Sequence, residues 1–286
     1  MSTSNRYRQA GFTLVEMIMV VVITGIIGGM VAVFLKAPIQ QYMDVARRAE
    51  LTDIADTAIR RMARDVRTAV PNSVRIAAVG CAQKCVEFLP TKDGGRYRAD
   101  TPGNVLTFGT GGGNIFDIVG TAINFTAGAA PDYIVIGSTQ SDGNPPYDPS
   151  TAGILRAYTG AAGLQTTVNF TATALPTTAA LPSHRFDVVD GAQRAVTYVC
   201  EGTQGGVLDA NQNGQGKLMR YSNYGFNLVQ VLPTVGGAIL ADKVSACTID
   251  YDIPNQRFGL VAVRLTLTSG GESVSLYNEI HVNNAP

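Results

Sequence analysis

The chain has 286 residues, room for one anchor segment and one large or two small folded domains. Its 22 basic and 22 acidic residues cancel. The part after residue 75 holds twelve basic and sixteen acidic residues, which gives no electrostatic case for binding nucleic acid.

The first feature along the chain is a membrane-length helix. A short polar leader, Met1 to Gly11, carries Arg6 and Arg8 and no acid. From Phe12 to Leu35 the chain is apolar, broken only by Glu16 and a few small residues. A helix of these 24 residues is roughly 36 Å long and crosses a hydrocarbon core of about 30 Å with some tilt. The basic leader predicts a cytoplasmic N-terminus, with everything after Lys36 delivered across the membrane. A secretory signal also begins with a basic stretch and an apolar run, but its apolar region is shorter and ends in a small-x-small cleavage site. No Ala-x-Ala follows this run.

Glu16 is the costly residue of the segment. A lone carboxylate in hydrocarbon costs about 2.5–3.5 kcal/mol on insertion scales, which calls for a partner charge. Snorkelling to the headgroups is the alternative for a residue so near the helix end. Gly25 and Gly29 form a Gly-x-x-x-Gly pair that allows close approach of helices; ordinary tolerance of glycine in membrane helices explains the same residues. Pro38 is expected to bend the helix as it leaves the bilayer.

Residues 39–70 read as a continuing amphipathic helix. Leu51, Ile54, Ala55, Ala58, Met62 and Val66 recur at steps of three and four on one face. Arg47, Arg48, Arg60, Arg61 and Arg64 mostly take other faces, interleaved with Asp44, Asp53 and Asp56, and Pro71 ends the helix. After Pro71, short β-branched and aromatic runs alternate with turn residues. Strands are predicted over residues 73–78, 86–89, 105–108, 133–136, 195–200, 218–221, 247–251, 260–268 and 275–282. Asp190-Gly191 and Gly270-Gly271 suit tight hairpins. Residues 149–184 read as an insertion with long loops inside the domain, with strand-like pieces such as residues 167–170. The fold class expected is α+β: a long N-terminal helix lying across one sheet of a mainly antiparallel β domain.

Four cysteines lie beyond the anchor, where disulfides persist, and three pairings are open to them. Cys81 and Cys85 suit a small local loop. Cys200 shares a strand face with Val196 and Tyr198, and Cys247 with Ile249 and Tyr251, so both point inward and are expected to pair. Zinc is the rival use, for which this spacing is poor. Asp209, Asn211 and Asn213, followed by Gly214, match the first half of an EF-hand loop. The twelfth position, where a bidentate Glu belongs, is Arg220, so calcium would need Asp242 or Asp250. An Asn-Gly-rich turn explains the same residues without metal, and no cofactor is expected. His184 and His281 are far apart, each in a strand-like setting. Gly109-Thr-Gly-Gly-Gly113 lacks the Lys-Ser/Thr of a phosphate loop. No catalytic set stands out, so an enzyme is not expected.

Gly11-Phe-Thr-Leu-Val-Glu16, the basic leader and the apolar run together resemble the class III signal of type IV pilins and pseudopilins. The resemblance implies that a prepilin peptidase cuts after Gly11 and N-methylates Phe12, the new N-terminus. The leader, residues 1–11, is then removed; residues 12–70 are the helix, with 12–35 transmembrane and 36–70 amphipathic; residues 71–286 are the β-rich periplasmic domain. It also implies that Glu16 neutralises the terminal amine of a neighbouring subunit in a growing filament. Its partners are the peptidase, other major and minor pilins or pseudopilins, the inner-membrane assembly platform, and membrane lipid before assembly. The protein would pass from the inner membrane, which it spans once, to the pilus. Arg60 to Arg67, Pro71-Asn-Ser-Val-Arg75 and Tyr277 to Asn283 are similar to the helix end and last strand of MshO- and PulJ-type prepilin-like proteins. The 71–75 segment and the cysteines favour the minor subunits of mannose-sensitive haemagglutinin pili. The J-type pseudopilin of type II secretion is the runner-up, and a tip adhesin is the reading of a different class.

Overall fold

The computed structural model describes residues 11–76, 81, 84–138, 146–150, 152–171, 174–202, 206–251 and 259–282. Arg6 and Arg8 of the leader, residues 77–78 of the first predicted strand and Asn283 lie outside them. Contacts group the chain into two units, residues 1–49 and 50–286, divided within a single helix.

That helix, α1, runs from Leu14 to Arg67. In the first unit its large apolar side chains point outward all round; Met17, Ile18, Val21, Ile23, Ile27 and Met30 are all exposed. A helix apolar on every side is built for lipid or for a bundle of other helices. It is long and apolar enough to cross a membrane. Pro38 lies inside α1 without interrupting it, although its missing N–H leaves the Phe34 carbonyl without its usual donor.

In the second unit the apolar stripe finds its partner. Leu51, Ala55, Ala58, Ile59, Met62, Ala63 and Val66 are buried in one core with the inner face of a β-sheet. On the outer faces Arg60 pairs with Asp56 at 2.7 Å and, in the first unit, Arg47 with Asp44 at 3.4 Å. Exposed pairs of this kind contribute little. The helix stops at Arg67, before the predicted end. The Thr68 and Ala69 N–H groups bond the Asp65 and Val66 carbonyls, both at 3.1 Å, tightening the last turn. The chain then runs beside the β segment that follows, with the Val70 N–H donating to the Leu89 carbonyl at 2.7 Å.

The strands, in chain order, are β1 (Cys85–Phe88), β2 (Thr91–Tyr97), β3 (Ile115–Val119), β4 (Ile123–Phe125), β5 (Tyr133–Ile136), β6 (Leu155–Ala157), β7 (Gly163–Gln165), β8 (Thr167–Asn169), β9 (Arg185–Val189), β10 (Val196–Glu201), β11 (Gly216–Ser222), β12 (Ala238–Asp250), β13 (Leu260–Ser269) and β14 (Glu272–His281). They form one six-stranded sheet ordered β1-β10-β11-β12-β13-β14, a second ordered β6-β5-β9-β2-β3-β8, and the pair β4-β7. Every strand pairing is antiparallel. The chain leaves the first sheet after β1, builds the second, and returns at β10. The long helix packed on an antiparallel β domain is the pilin-like α+β arrangement.

Several local expectations are corrected. Residues 105–108 form no strand; Phe108 makes only an isolated bridge to Leu175. Asp190-Gly191 joins β9 to β10, which lie in different sheets, so it is a crossover and not a hairpin. A Cβ on Gly191 would lie 2.0 Å from the Pro131 carbonyl oxygen, so glycine serves close packing there. Gly270-Gly271, both at positive φ, do close the β13–β14 hairpin, where Ser269 faces Glu272. Residues 149–184 are mainly loop where described, as expected, and carry three short strands, β6, β7 and β8, and the 3-10 turn Thr177–Ala179; β8 falls on the strand-like piece at 167–170.

Candidate functional site

Residues 11–16 form the entry to α1. The Thr13 hydroxyl accepts the Glu16 N–H at 3.3 Å, and the Thr13 carbonyl accepts the Met17 N–H at 3.2 Å. Thr13 is thus the N-cap, and Glu16 stands third in the helix, the Thr-x-x-Glu spacing of a capping box. The carboxylate also lies in the first turn, where the helix dipole favours negative charge. This local role was readable in the sequence and adds to any role between subunits. Phe12 lies just before the cap and is 82% exposed. The cap fixes where α1 starts, at Leu14, directly after Phe12 and Thr13.

A Cβ added at Gly25 or Gly29 would meet nothing within 4 Å beyond the helix's own backbone. At 3.6 residues per turn, Gly25 lies about 180° around the helix from Glu16. The anchor therefore offers a carboxylate on one side and a small-residue groove on the other, on separate faces. Thr24 returns its hydroxyl to the Val20 carbonyl at 2.6 Å, so its polar group is satisfied within the helix.

Two polar clusters fasten the segments that follow the anchor. Asp65 of α1 receives Arg220 Nε of β11 and the Tyr198 hydroxyl of β10, both at 2.8 Å. Burial and the neighbouring Asp65 charge push the Tyr198 phenol well up. The second cluster centres on Arg75. Its Nε bonds Glu87 at 2.5 Å, and its Nη1 and Nη2 donate to the Leu228 and Asn227 carbonyls at 2.8 and 2.6 Å. Its guanidinium also stacks 3.5 Å over the Tyr147 ring. Glu87, 0% exposed, further accepts the Tyr224 hydroxyl at 2.7 Å. Burial raises the Glu87 carboxyl, and Arg75 pulls it back toward the charged form. The second cluster has no local sequence signature, because Tyr147 and residues 224–228 are distant along the chain.

The cysteines are joined as Cys81–Cys85 and Cys200–Cys247, with Cα atoms 5.1 and 5.9 Å apart. The second bond links β10 to β12 beside the slip in β11–β12 pairing at Gly216–Met219, an irregularity that bends a sheet.

The half EF-hand is used otherwise. Asp209 Oδ1 accepts the N–H groups of Asn211 and Asn213, both at 2.8 Å, while Oδ2 takes Asn213 Nδ2 at 3.1 Å. Asn213 Oδ1 accepts the Gly270 N–H of the β13–β14 turn at 3.0 Å. Gly214 is explained by packing, since a Cβ there would lie 2.4 Å from the Lys243 carbonyl oxygen. Arg220 turns to Asp65 on the helix. Among the described residues no three His, Cys, Asp or Glu side chains gather as metal ligands. His184 is not in a strand: it has φ 51 in the turn before β9, its ring 5.3 Å from that of Tyr97.

Residues 6–32 match the family model of the prokaryotic N-terminal methylation motif. No curated protein and no solved structure matches the chain. The motif is the class III prepilin signal, and its match supports a type IV pilin-like chain that prepilin peptidase processes and that assembles with other pilins.

Proposed function

We propose that the chain is a minor pilin-like subunit of a mannose-sensitive-haemagglutinin-type pilus, a structural protein that acts in initiation or at the tip. Prepilin peptidase cuts between Gly11 and Phe12, and Phe12 becomes the methylated N-terminus. Residues 12–35 hold the subunit in the inner membrane, with the β domain in the periplasm, until the assembly platform draws it into the filament. The reading is carried by the methylation-motif match, set on a helix segment, residues 14–35, that is apolar all round and bears the single carboxylate of Glu16. Desolvating an isolated carboxylate and an isolated amine is expensive, and docking in register neutralises both. The large two-sheet domain suits an end of the filament better than repeated packing along a shaft.

Quantitative proteomics of sheared filaments tests this. The subunit is expected far below one copy per major pilin and to be absent when the peptidase gene is deleted. Equal stoichiometry along the shaft removes the tip assignment. Co-purification with a type II secretion complex in place of pili transfers the chain to the J-type reading.

A further inference from the structure

The outward face of the second sheet carries an arrangement that anchoring and assembly do not use. Register places Arg96 of β2 directly opposite Arg185 of β9. Residues so opposed project from the same side of an antiparallel pair, and like charges there repel. Their neighbours Tyr97 and Phe186 fill the core on the inward side, so both arginines stand exposed. Arg96 Nε donates to the Ser183 carbonyl at 3.1 Å. Among the described residues neither arginine forms an ion pair. The acid nearest in register is Asp187, two residues beyond Arg185 on the same face.

Two further observations converge on this place. The Ser183 hydroxyl is buried and, among the described residues, has no hydrogen-bond partner, a costly state for a polar group. Gly94, two residues before Arg96 on the same face, presents no side chain there; a Cβ at Gly94 would lie 3.3 Å from Asp187 Oδ1. The result is an open cleft of about 420 Å³ lined by Gly94, Gly95, Arg96, Ser183 and Arg185.

We propose that this cleft binds a compact oxyanion (a carboxylate, sulfate or phosphate group) between Arg96 and Arg185, with the Ser183 hydroxyl as a third donor. A bound oxyanion relieves the cross-strand repulsion, gives the orphaned hydroxyl an acceptor, and suits the planar donor fork of arginine. The site is independent of the anchor and of its processing.

The test is calorimetric titration of the full chain in a neutral detergent at constant ionic strength. The probes are sodium sulfate, phosphate, acetate and glucuronate, with glucose as the uncharged control. Saturable binding of an oxyanion at millimolar concentration or below is expected. Arg185→Gln should weaken it tenfold or more and Ser183→Ala several-fold, while Lys217→Gln, which removes an equal charge elsewhere on the surface, should leave it unchanged. Glucuronate binding tighter than acetate assigns a sugar-borne carboxylate; tighter sulfate or phosphate assigns a tetrahedral anion. No saturable binding, or an equal loss in Lys217→Gln, overturns the proposal. Arg185 is chosen over Arg96 because among the described residues its side chain makes no hydrogen bond, and an unchanged melting curve verifies that the variant is folded.

Discussion

Arg75→Ala is the substitution whose consequences follow most fully from the structure. Arg75 is 18% exposed, and its partner Glu87 is 0% exposed. Removing the guanidinium leaves the Glu87 carboxylate buried with only the Tyr224 hydroxyl, frees the Leu228 and Asn227 carbonyls, and uncovers the Tyr147 ring. Breaking a buried pair from one side costs about 3–5 kcal/mol. For a domain of this size that lowers the melting temperature by roughly 6–20 °C. The pH dependence carries the finer test. With Arg75 gone, burial acts on Glu87 almost unopposed, so the folded-state pKa rises further above the unfolded value. The folded variant then takes up a proton before the unfolded chain does, and it regains stability as the pH falls. The Arg75→Ala penalty should be greatest near neutrality and shrink to about half or less near pH 5. The double variant Arg75→Met, Glu87→Gln should recover most of the loss. Thermal and urea denaturation of the detergent-solubilised chain at both pH values reads these effects. A penalty below about 1 kcal/mol, or one independent of pH, refutes the account of the cluster.

Glu16→Ala should leave cleavage intact yet reduce incorporation into filaments, measured as the ratio of pilus-bound to membrane-bound subunit; unchanged incorporation means that this subunit docks by other contacts. Replacing Cys200 and Cys247 by alanine opens a loop of 47 residues and should cost about 4 kcal/mol, against about 2 for the short Cys81–Cys85 loop, both read from denaturation midpoints. Equal costs would contradict the chain-entropy reasoning. Burial pushes the Asp187 carboxyl up to about 6 against the opposing charge of Arg185. The folded state therefore binds that proton more tightly, and the stability it confers is present below about pH 4 and lost as pH rises through about 6. Asp187→Asn should flatten this slope and raise stability at pH 7.5 by about 1–2 kcal/mol, less than the roughly 3 of a two-unit shift because the group is partly solvated. A slope unchanged in the variant assigns the effect to another group.

The anchor was legible because its signal is local: a basic leader, a run of apolar residues, and one costly acid. The helix stripe from Leu51 to Val66 was legible for the same reason, as was the last hairpin, where two glycines meet the demand for positive φ. The second sheet was hidden. β2 reads Thr-Lys-Asp-Gly-Gly-Arg-Tyr, with neither β-branched alternation nor a bounded apolar run, and it is a strand because β9 and β3 pair with it on either side. Gly95 there makes room for the Phe186 ring, which a Cβ would approach to 3.1 Å. Residues 105–108 had the right composition and no neighbour to complete a ladder. Arg220 looked like a defect in a calcium loop because its partner, Asp65, stands 155 residues away. The Arg96–Arg185 pair exists only through register, which composition does not carry.

The central claim is that the anchor helix is retained on a product that begins at Phe12. Intact-mass and N-terminal peptide mass spectrometry of the protein purified from cells tests it directly. The account predicts a mature chain starting at Phe12, methylated on its amine, with α1 still attached. A chain beginning at Met1, or one cut after the apolar segment and released without it, would contradict it.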